Sequence, residues 1–441
     1  MRQLLDGHLV PSPPHPDRSS QIVRAKSIEK AVTALRAPKG TEDILAPRSR
    51  VWERARRVFM DLAARYGYEP ILIPLFEATE LYSRGVGEDT EVVEKQMYTF
   101  KDKAGRSITL RPEATAGIVR ALIQAGGVTG PTKVSLWGPM FRYERPQKGR
   151  NRQFHQADIE YFGETSADAD VEVIEFGYRY LVDLDIPDPV VALNSIGDTE
   201  DRTEFRELLA KWLMEREERL SVDARARIAT NPLRVLDSKA DADVVAEAPA
   251  PLDHLGPGAA DHFSAVKRGL DRRGIPYTID SRLVRGLDYY NRTVWEYFSP
   301  AFEAAQAALG GGGRYDPLFE TLGGKPTPGV GVAMGLDRVI EALSDSDEAR
   351  LDVFVVVAAD VRRDDALALV AHLREAGVAT DIDLGTRSVK SQFRTADRRR
   401  ARVAIVVGEE WAGGEVTAKD LTSGVQDVIA TDEIAAWVEG R

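Results

Sequence analysis

Residues able to bind a charged ligand are concentrated between Gly138 and Phe162. The centre of this stretch contains one anion, Glu144, and the cations Arg145, Lys148, Arg150 and Arg152. Polar and apolar side chains then alternate, which places one row on the same face of a strand: Phe154, Gln156, Asp158, Glu160 and Phe162. We predict two antiparallel strands joined by a basic loop. An edge hairpin with a solvated face is the plain alternative, but glutamine and carboxylates beside a cationic turn favour a pocket for an anionic ligand.

A second polar cluster precedes a predicted helix in TLRPEATAGIVR, from Thr109 to Arg120. The pattern predicts a helix over Ala114 to Ala121, with Pro112 at an early helical position. Glu113 and Thr115 would then lie near the helix N-terminus. The plain interpretation of Glu113 is a carboxylate that complements the helix dipole.

Two further stretches combine glycines with charged residues. LVRGLDYYNRTVWEYF, from Leu283 to Phe298, predicts a bend followed by a strand, and its Arg285 could be an ordinary surface cation. LGGGGRYD, from Leu309 to Asp316, contains four consecutive glycines, which indicates that the backbone closely approaches another group. The chain contains no GxxxxGK[ST] P-loop. If it uses ATP, side-chain cations must therefore bind the phosphates.

The stretch GVGVAMGLDRVIEAL, from Gly329 to Leu343, places a cation near the N-terminus of a predicted helix. The pattern predicts a strand that runs into a helix, with Arg338 in its first turns. The dipole disfavours a cation at this end of a helix. A ligand therefore explains Arg338 better than helix stability does.

Composition limits the kinds of protein to consider. A chain of 441 residues is too long for one hydrophobic core, so two or three domains are expected. The net charge of −11 argues against unspecific coating of nucleic acid or acidic membranes, although 59 Lys and Arg residues allow local basic patches. The absence of cysteine excludes disulfides, thiolate metal sites and cysteine nucleophiles. The six histidines show no metal-ligand spacing, so no metal site is predicted.

The remaining patterns define the organisation of the chain. Residues 1–36 lack a signal peptide and predict a disordered tail, and no later run is long enough to span a bilayer. Residues 50–66 predict an amphipathic helix, and the proline-flanked run 70–74 predicts a strand at a sheet edge or an interface. Residues 199 to about 274 predict a helical insertion without chemistry of its own.

A different pattern follows a polar linker of residues 344–350. Strands and helices alternate over residues 350–441, which predicts a small α/β domain with parallel strand pairs. Between residues 385 and 402 seven cations accompany one anion, which favours a nucleic-acid face over the alternative of a solvated helix. These cations are Arg387, Lys390, Arg394, Arg398, Arg399, Arg400 and Arg402.

Together these stretches resemble the histidyl-tRNA synthetases, a family of class II aminoacyl-tRNA synthetases. FRYE followed by RQFHQADIE resembles motif 2, PKGTED with the helix after it resembles motif 1, and residues 329–343 resemble motif 3. LVRGLDYYNRTVWEYF resembles a signature specific to this family, and residues 350–441 resemble its anticodon-binding domain. The resemblance extends from about residue 37 to the C-terminus.

The resemblance implies a fold and a reaction. The fold is α+β, with an antiparallel sheet flanked by helices in a catalytic domain of residues 37–344, a helical insertion over about 199–274, and an α/β anticodon-binding domain over 350–441. L-histidine and ATP react to histidyl-adenylate, and the histidyl group then passes to the 3′ end of tRNA(His). ATP is a substrate, and Mg²⁺ accompanies its phosphates. A cytoplasmic homodimer that contacts no membrane is expected.

The resemblance also implies roles for individual residues. Arg142 and Arg285 act on the α-phosphate and are the catalytic pair, and Arg142, Arg150 and Arg338 bind ATP, with Arg338 over the adenine. The histidine-binding residues are Glu113, Ala114, Thr115, Gln156, Glu160, Arg285, Tyr289 and Tyr290. The expected tRNA contacts are Arg387, Lys390, Arg394, Arg398, Arg399 and Arg400. Ala114 replaces the glycine of the family's Glu-Gly-Thr sequence, which leaves both contacting side chains in place.

Two other functions are compatible with parts of this pattern. A non-catalytic paralogue could act as a histidine-sensing regulatory subunit, but such a protein would have lost motif residues and would usually lack the C-terminal domain. A tRNA-binding sensor module would need an appended effector domain, for which the chain leaves no room. We therefore expect a histidine–tRNA ligase.

Overall fold

A computed structural model describes residues 35–87, 90, 92–147, 149–301, 308–343 and 351–440. The predicted tail, apart from residues 35 and 36, and the predicted linker of residues 344–350 lie outside these described residues. From Lys39 onward the described residues form one compact unit.

Helices and strands succeed one another along the chain in two runs. Up to residue 343 they are α1 (Arg48–Arg65), β1 (Glu69–Pro70), β2 (Phe76–Ala78), α2 (Thr79–Val86), β3 (Thr99–Lys101), β4 (Ser107–Leu110), α3 (Thr115–Gln124), β5 (Thr132–Phe141), β6 (Gln153–Phe162), α4 (Ala167–Asp183), β7 (Val190–Ser195), α5 (Thr199–Met214), α6 (Val222–Arg227), α7 (Ala242–Val245), α8 (Pro257–Arg273), β8 (Tyr277–Ile279), β9 (Asn291–Phe298), β10 (Gly310–Arg314), α9 (Leu318–Thr321), β11 (Gly329–Gly335) and α10 (Leu336–Ala342). From residue 351 they are β12 (Val353–Val357), α11 (Arg363–Glu375), β13 (Thr380–Ile382), α12 (Val389–Arg398), β14 (Val403–Val407), β15 (Glu415–Asp420), β16 (Gln426–Ala430) and α13 (Ile434–Glu439).

The main sheet has eight strands in the order β1-β5-β6-β11-β10-β9-β7-β8. Its inner pairs are antiparallel, and only the outermost pairs, β1 with β5 and β7 with β8, are parallel. The predicted hairpin is confirmed as β5 and β6, which lie inside the sheet and not at its edge. The α+β class with an antiparallel sheet flanked by helices is therefore correct.

The period of two in β6 separates the two faces of the sheet. Ala157 and Ile159 are fully buried in one hydrophobic core together with α1, α4 and α8. Gln156, Asp158 and Glu160, at the alternate positions of β6, point to the opposite face of the sheet. The sheet thus has one structural face and one polar face.

The predicted amphipathic helix is α1, whose apolar side packs on the structural face. Phe59 is fully buried, and its ring lies 5.8 Å from Trp137 and 5.7 Å from both Phe176 and Tyr180, measured between ring centroids. Burial of such a side chain contributes about 1.5–3 kcal/mol. The strand predicted over residues 70–74 is shorter than expected: β1 covers only Glu69–Pro70, and residues 71–74 are irregular. Its position at the edge of the sheet is as predicted.

The four consecutive glycines form β10 in the interior of the main sheet. A Cβ atom on Gly312 would lie 2.1 Å from the carbonyl oxygen of Gly331, and one on Gly313 would lie 2.6 Å from the ring of Tyr290. The expected close approach of backbone to neighbouring groups is therefore confirmed. Larger residues would push β10 away from the strands and the tyrosine beside it.

The region from residue 199 to 274 is helical, as predicted. Helix α5 begins with a capping box between Asp198 and Asp201, and α8 ends at Gly274, which has φ of 63°. Phe263, on α8, is buried in the same core as α4. The last helix of this region therefore belongs to the helical layer beneath the sheet.

Residues 351–440 form a second sheet with its own hydrophobic core. The strand order is β13-β12-β14-β15-β16, and β12 runs parallel to both β13 and β14, which confirms the predicted parallel pairs. The antiparallel hairpin of β15 and β16 was not predicted. The reason is that its residues are mostly polar, so their alternation is weak.

A buried ion network connects the helical layer to β10. Arg314 and Asp170 are both 0% exposed, and the Arg314 Nε lies 3.0 Å from the Asp170 Oδ2. The guanidinium also donates to Asp316, to the carbonyl oxygen of Glu164 and to that of Ser166. Burial alone would raise the pKa of Asp170, but Arg314 and the neighbouring His262 lower it to about 2. The pair is therefore fully ionised and fully hydrogen-bonded.

We expect Arg314→Ala to lower the free energy of unfolding by about 3–5 kcal/mol, because Asp170 would remain buried without a counter-charge. Urea denaturation followed by far-UV circular dichroism measures this loss. Arg65 pairs with Asp183 at 2.7 Å on the surface, and Arg65→Ala is the matched control, with a loss of about 1 kcal/mol or less. Equal losses in the two variants would show that Arg314 does not stabilise the fold in this way.

Candidate active site

Two adjoining cavities open on the polar face of the main sheet. The larger has a volume of about 340 Å³ and the smaller one of about 50 Å³. The residues that line both are Arg142, Gln156, Arg285, Leu287 and Ala333. Arg142 and Arg285, the two predicted catalytic residues, therefore lie at the junction of the two cavities.

Neighbouring groups hold both of these arginines in place. Arg142 directly follows β5; its Nε donates to the carbonyl oxygen of Pro112 at 2.9 Å, and its guanidinium lies 5.2 Å from the centre of the Phe154 ring. Arg285 forms an ion pair with Glu296 on β9. Burial acts to lower the pKa of Arg285, but the Glu296 carboxylate raises it above its usual value. Both side chains are thus charged and oriented before any ligand binds.

Two more arginines line the larger cavity. Arg338 lies in the first turn of α10, as predicted, and its Nη1 donates to the carbonyl oxygen of Ala308 at 2.8 Å. Arg150 projects from the loop between β5 and β6, and its Nε lies 2.9 Å from an oxygen of Glu144. Burial lowers the pKa of Arg338, and the nearby charge of Arg150 lowers it further. Cations held close together in this way favour a ligand with several negative charges.

Asp337 was missed by sequence reasoning. It accepts hydrogen bonds from the backbone N–H of His155 at 2.8 Å and from the side-chain amide of Asn151 at 3.2 Å. Asp337 therefore fixes the start of β6 and the end of the basic loop against α10. A carboxylate beside Arg338 in the first helical turn was a usable signal, because a helix N-terminus favours an anion.

The smaller cavity brings the predicted histidine-binding residues together. They are joined by Asp158 and Tyr315, which were not predicted. Besides Arg142 and Arg285, the polar lining residues are Glu113, Thr115, Gln156, Asp158, Glu160, Tyr289, Tyr290 and Tyr315. The Thr115 hydroxyl donates to Glu160 at 2.6 Å, and the Tyr315 hydroxyl donates to the other oxygen of Glu160. The Glu160 carboxylate lies directly against Gly331: a Cβ atom on Gly331 would be 1.5 Å from a Glu160 oxygen, so only glycine fits there.

The prediction for Glu113 needs one correction. Helix α3 begins at Thr115, so Pro112 and Glu113 precede the helix instead of lying in its first turn. The Glu113 carboxylate accepts hydrogen bonds from the backbone N–H groups of Thr115 at 2.7 Å and Ala116 at 3.0 Å. Glu113 thus stabilises the N-terminus of α3 and also lines the smaller cavity. Ala114, between Glu113 and Thr115, lines the same cavity.

Burial makes the smaller cavity electrostatically unusual. It raises the pKa of Glu160 to about 8, although hydrogen bonds from Thr115 and Tyr315 act in the opposite direction. It also raises the pKa of Glu113, and that of Asp158 rises well above its usual range, with Glu160 and Glu113 adding to the effect. Carboxyl groups that share a dry site resist ionisation unless a cation enters. The cavity is therefore suited to a small cationic ligand.

Three tyrosines form the apolar wall of the smaller cavity. The ring centroids of Tyr289 and Tyr290 lie 4.6 Å apart, and those of Tyr289 and Tyr315 lie 5.5 Å apart. Residues of the helical region fix the segment that carries Tyr290. Arg202 on α5 donates to the carbonyl oxygen of Tyr290, and the side-chain amide of Asn231 donates to Asp288 at 3.2 Å. The helical region, predicted to lack chemistry, thus positions residues of the cavity without lining its polar part.

The predicted tRNA-contacting residues lie elsewhere, on the C-terminal sheet unit, and line neither cavity. Arg387 and Arg399 form ion pairs with Asp383 at 3.5 Å and with Asp381 at 2.7 Å. The others, also exposed, are Lys390, Arg394, Arg398 and Arg400. The four-residue spacing of Lys390, Arg394 and Arg398 places them on one face of α12.

Comparisons with known proteins point to one family. A family model described as histidyl-tRNA synthetase matches residues 40–339, and one described as anticodon binding domain matches residues 352–441. The histidine–tRNA ligase of Bacillus subtilis is 42% identical over 409 residues, which cover 90% of this chain and 96% of the relative. That of Solidesulfovibrio magneticus is 43% identical over 412 residues, with 91% and 97% covered. The crystal structure of apo Staphylococcus aureus histidyl-tRNA synthetase has a TM-score of 0.76 and 34% identity, and covers 92% of this chain and all of that one.

Two observations concern metals and membranes. In the part of the chain that the structure describes, no cluster of three or more His, Asp or Glu side chains is arranged to hold a metal ion. Within the same residues, no helix is both long enough and apolar enough to cross a membrane.

We expect the free energy of unfolding of the ligand-free protein to fall as the pH rises from about 5 to about 8. The folded protein keeps the Glu160 proton up to a pKa of about 8, whereas the usual glutamate value is 4.5. In this interval the unfolded chain binds fewer protons than the folded one, so stability decreases with pH. Glu160→Gln should flatten this decrease by up to a few kcal/mol, because each pKa unit corresponds to about 1.4 kcal/mol.

Urea denaturation at pH 5, 6.5 and 8 measures this slope. Glu69 is exposed on β1, and Glu69→Gln is the control that should leave the slope unchanged. If Glu160→Gln and the unsubstituted protein lost stability equally over this range, Glu160 would not be the titrating group.

Proposed function

We propose a mechanism for this chain on the premise that it belongs to the histidyl-tRNA synthetase family. It is a histidine–tRNA ligase that activates L-histidine with ATP and passes the histidyl group to the 3′ end of tRNA(His). The observation that carries this conclusion is the pair of adjoining cavities, one lined by four arginines and one by three carboxyl groups, which meet at Arg142 and Arg285. A nucleoside triphosphate fits the first, and a small cationic amino acid fits the second.

The larger cavity is the ATP site. Arg142, Arg150 and Arg285 face the phosphates, and Arg338 lies over the adenine ring, where a guanidinium stacks favourably. The four arginines are partly offset by Glu144, Glu296 and Asp337, so the site keeps one excess positive charge for the triphosphate. Phosphate recognition by oriented side-chain cations is consistent with the absence of a P-loop.

Mg²⁺ enters this site with the ATP phosphates. Mg²⁺ needs only one or two carboxylates when phosphate oxygens and water complete its shell. Glu144 and Glu296 line the larger cavity and are the residues that fit this role. When bound with ATP, the ion would supply positive charge that offsets part of the charge of the phosphates.

The smaller cavity is the histidine site. Glu160, Tyr289 and Tyr290 receive the imidazole, and Glu113, Thr115 and Gln156 contact the amino-acid backbone. The side-chain oxygen of Gln156 is buried and has no hydrogen-bond partner among the described residues, which is consistent with a partner supplied by the substrate. Apolar amino acids would leave the buried carboxyl groups and hydroxyls unpaired, so they should be rejected strongly.

The first chemical step takes place where the cavities meet. The histidine carboxylate attacks the α-phosphate of ATP, and pyrophosphate leaves. No protein nucleophile is needed, because orientation of the reactants and stabilisation of the phosphoryl charge can supply most of the acceleration. Arg142 and Arg285 are already fixed at this junction and therefore stabilise the transition-state charge without reorganising.

The C-terminal unit binds tRNA. We assign residues 37–344 to the catalytic domain, with the insertion at about 199–274, and residues 350–441 to the anticodon-binding domain. The two family models, over 40–339 and 352–441, support these boundaries. The exposed cationic face of α12 is the candidate contact with tRNA phosphates.

The functional unit is a cytoplasmic homodimer. Leu72 is 92% exposed next to β1, and Phe76 and Phe100 are also exposed. The register pairs Phe76 with Leu110 and Phe100 with Ile108, so both phenylalanines lie on one face of the sheet formed by β2, β4 and β3. An exposed apolar face of this kind is typical of an interface with another protein chain.

A histidine-sensing regulatory subunit without catalysis is not favoured. Such a protein needs the smaller cavity but not the larger one. Arg142, Arg285 and Arg338 are all retained around the larger cavity, and the C-terminal unit is present. The catalytic function therefore explains more of the structure.

We expect Arg285→Ala to slow histidine-dependent pyrophosphate exchange about a hundredfold or more, because it removes a preorganised charge from the transferring phosphoryl group. The dissociation constant for histidine, measured by calorimetry, should change much less. Arg272 is exposed on α8, and Arg272→Ala is the control with unchanged exchange. Near-normal exchange by Arg285→Ala would remove Arg285 from the catalytic residues.

A second expectation concerns tRNA. Lys390 and Arg394 are exposed and form no ion pair within the described residues. The double variant Lys390→Glu/Arg394→Glu should weaken tRNA(His) binding and lower the slope of log affinity against log salt concentration by somewhat less than one unit per lost contact. Filter binding at several salt concentrations measures both quantities, and pyrophosphate exchange should stay unchanged. An unaltered salt slope would place the tRNA contact on another surface.

A further inference from the structure

Arg285, Tyr289 and Tyr290 lie on one segment between β8 and β9, and this segment contributes to both cavities. Its residues 280–290, all of which the structure describes, form neither helix nor strand. A ladder of hydrogen bonds to a neighbouring strand therefore does not fix its main chain. Side chains that act in catalysis must nevertheless be placed to within a fraction of an ångström, so surrounding residues have to support such a segment.

Arg202, near the start of α5, supports the main chain of this segment directly. Its Nη1 donates to the carbonyl oxygen of Tyr290 at 2.5 Å and to that of Asp288 at 3.2 Å. Burial lowers the pKa of Arg202, although Asp288 acts in the opposite direction, and its Nε is buried without a hydrogen-bond partner among the described residues. A cation in so poorly hydrated a position costs free energy, which the bonds to the two carbonyl oxygens help to offset.

The carboxylate of Asp288 is a second point of support. The side-chain amide of Asn231 donates to both of its oxygens at 3.2 Å, and the Nη2 of Arg234 lies 3.5 Å from one of them. Asn231 and Arg234 both belong to the helical region. The backbone N–H of Asp288 also donates to the carbonyl oxygen of Val86, at the end of α2, at 3.1 Å. The helical region and α2 therefore fix the main chain on both sides of Tyr289.

We propose that Arg202 is a positioning residue for the first chemical step: through its two carbonyl contacts it keeps Arg285 at the reacting phosphate. This inference rests on the proposed function, which places Arg285 at the α-phosphate of ATP. Arg202 itself lines neither of the two adjoining cavities, so it acts through the segment and not by contact with a substrate. The helical region thus takes part in the activation of histidine, a step that needs no tRNA.

The competing explanation is that Arg202 only stabilises the fold. Phe205, three positions further along α5, is buried in the same hydrophobic core as Tyr289 and Tyr290, so apolar packing already joins the helical region to the segment. Apolar packing is not directional, whereas hydrogen bonds fix the orientation of the peptide groups that they join. Loss of Arg202 should therefore disturb the geometry of the site more than the stability of the fold.

Arg202→Met tests this assignment, because methionine fills much of the same space and donates no hydrogen bonds. At saturating histidine and ATP, the kcat of histidine-dependent pyrophosphate exchange should fall about ten- to a hundredfold, since a misplacement of about 1 Å at the reacting group has an effect of that size. The dissociation constant for histidine, measured by calorimetry, should rise, because Tyr290 lies on the same segment. That for ATP should change less than about twofold, since three of the four arginines of the larger cavity lie on other elements.

Arg202→Lys is the variant that should restore activity. Both hydrogen bonds of Arg202 come from one nitrogen, and the single ammonium group of lysine carries three donors. The kcat of this variant should therefore be within about threefold of that of the unsubstituted protein. Arg206 lies on the same helix, and its Nη2 donates to the carbonyl oxygen of Thr230 at 2.8 Å, inside the helical region. Arg206→Met is the matched control, with unchanged exchange.

A double variant shows whether Arg202 acts through Arg285. Arg202→Met/Arg285→Ala should exchange pyrophosphate as slowly as Arg285→Ala alone, because the group that Arg202 positions is then absent. Losses that multiply in the double variant would overturn the assignment, as would a normal kcat for Arg202→Met or an equal loss in Arg206→Met. If Arg202→Met does not fold, Arg202→Gln, whose shorter side chain cannot reach both carbonyl oxygens, should lower kcat in the same way, and a normal kcat there would overturn the assignment. Absence of histidine-dependent exchange by the unsubstituted protein would instead overturn the proposed function itself.

Discussion

The ion pair between Arg314 and Asp170 is the constraint on which the functional face of the sheet depends. It joins α4, in the helical layer, to the end of β10 in the sheet interior, and both side chains are fully shielded from water. A guanidinium at this depth tolerates little displacement, because a lost hydrogen bond would leave a buried charge uncompensated. The next residue, Tyr315, donates to Glu160, so the position of the ion pair is transmitted directly to the smaller cavity.

Opposite charges are separated across one strand. Arg150 and Arg338 line only the larger cavity, and Glu113, Asp158 and Glu160 line only the smaller one. Arg142 and Arg285 line both, and Glu144, Glu296 and Asp337 also line the larger cavity; β6 contributes to both. Each set is unfavourable by itself, because like charges are held together in a poorly hydrated site. A negatively charged ligand reduces the repulsion among the arginines, and a positively charged ligand reduces that among the carboxyl groups. The two ligands must meet at Arg142 and Arg285. The ligand-free protein therefore already contains the electrostatic reason for bringing a triphosphate and a cationic amino acid together.

Glycines provide the room for these side chains. A Cβ on Gly311 would lie 2.7 Å from the guanidinium of Arg285, and one on Gly331 would collide with the carboxylate of Glu160. Backbone atoms of β10 and β11 thus form the floor of the site, while β6 and the segment around Tyr290 supply its chemistry. This arrangement explains why four glycines occur in a central strand, where they would otherwise weaken the sheet.

Local patterns were sufficient for several elements, although not for the hairpin of β15 and β16 or for the first residue of α3. The period of two in β5 and β6, the helical period of α1, and Arg338 at the start of α10 were predicted from the sequence and are present in the structure. So was the alternation of strands and helices after residue 350. The grouping of Glu113, Glu160, Tyr289 and Tyr290 followed only from family resemblance, since no local pattern connects residues so far apart.

Contacts between distant residues were decided only by the tertiary structure. Glu160 and Tyr315 are separated by 155 positions, and nothing in either local sequence indicates that their side chains meet. The Oδ2 of Asp158 is buried without a hydrogen-bond partner among the described residues, and the sequence does not indicate this either, since Asp158 is one more polar residue in an alternating strand. Burial, and with it the pKa of each carboxyl group, depends on all the surrounding elements at once. The sequence by itself determined which chemical groups the protein could use. The tertiary structure decided which of these groups are buried next to one another, away from water.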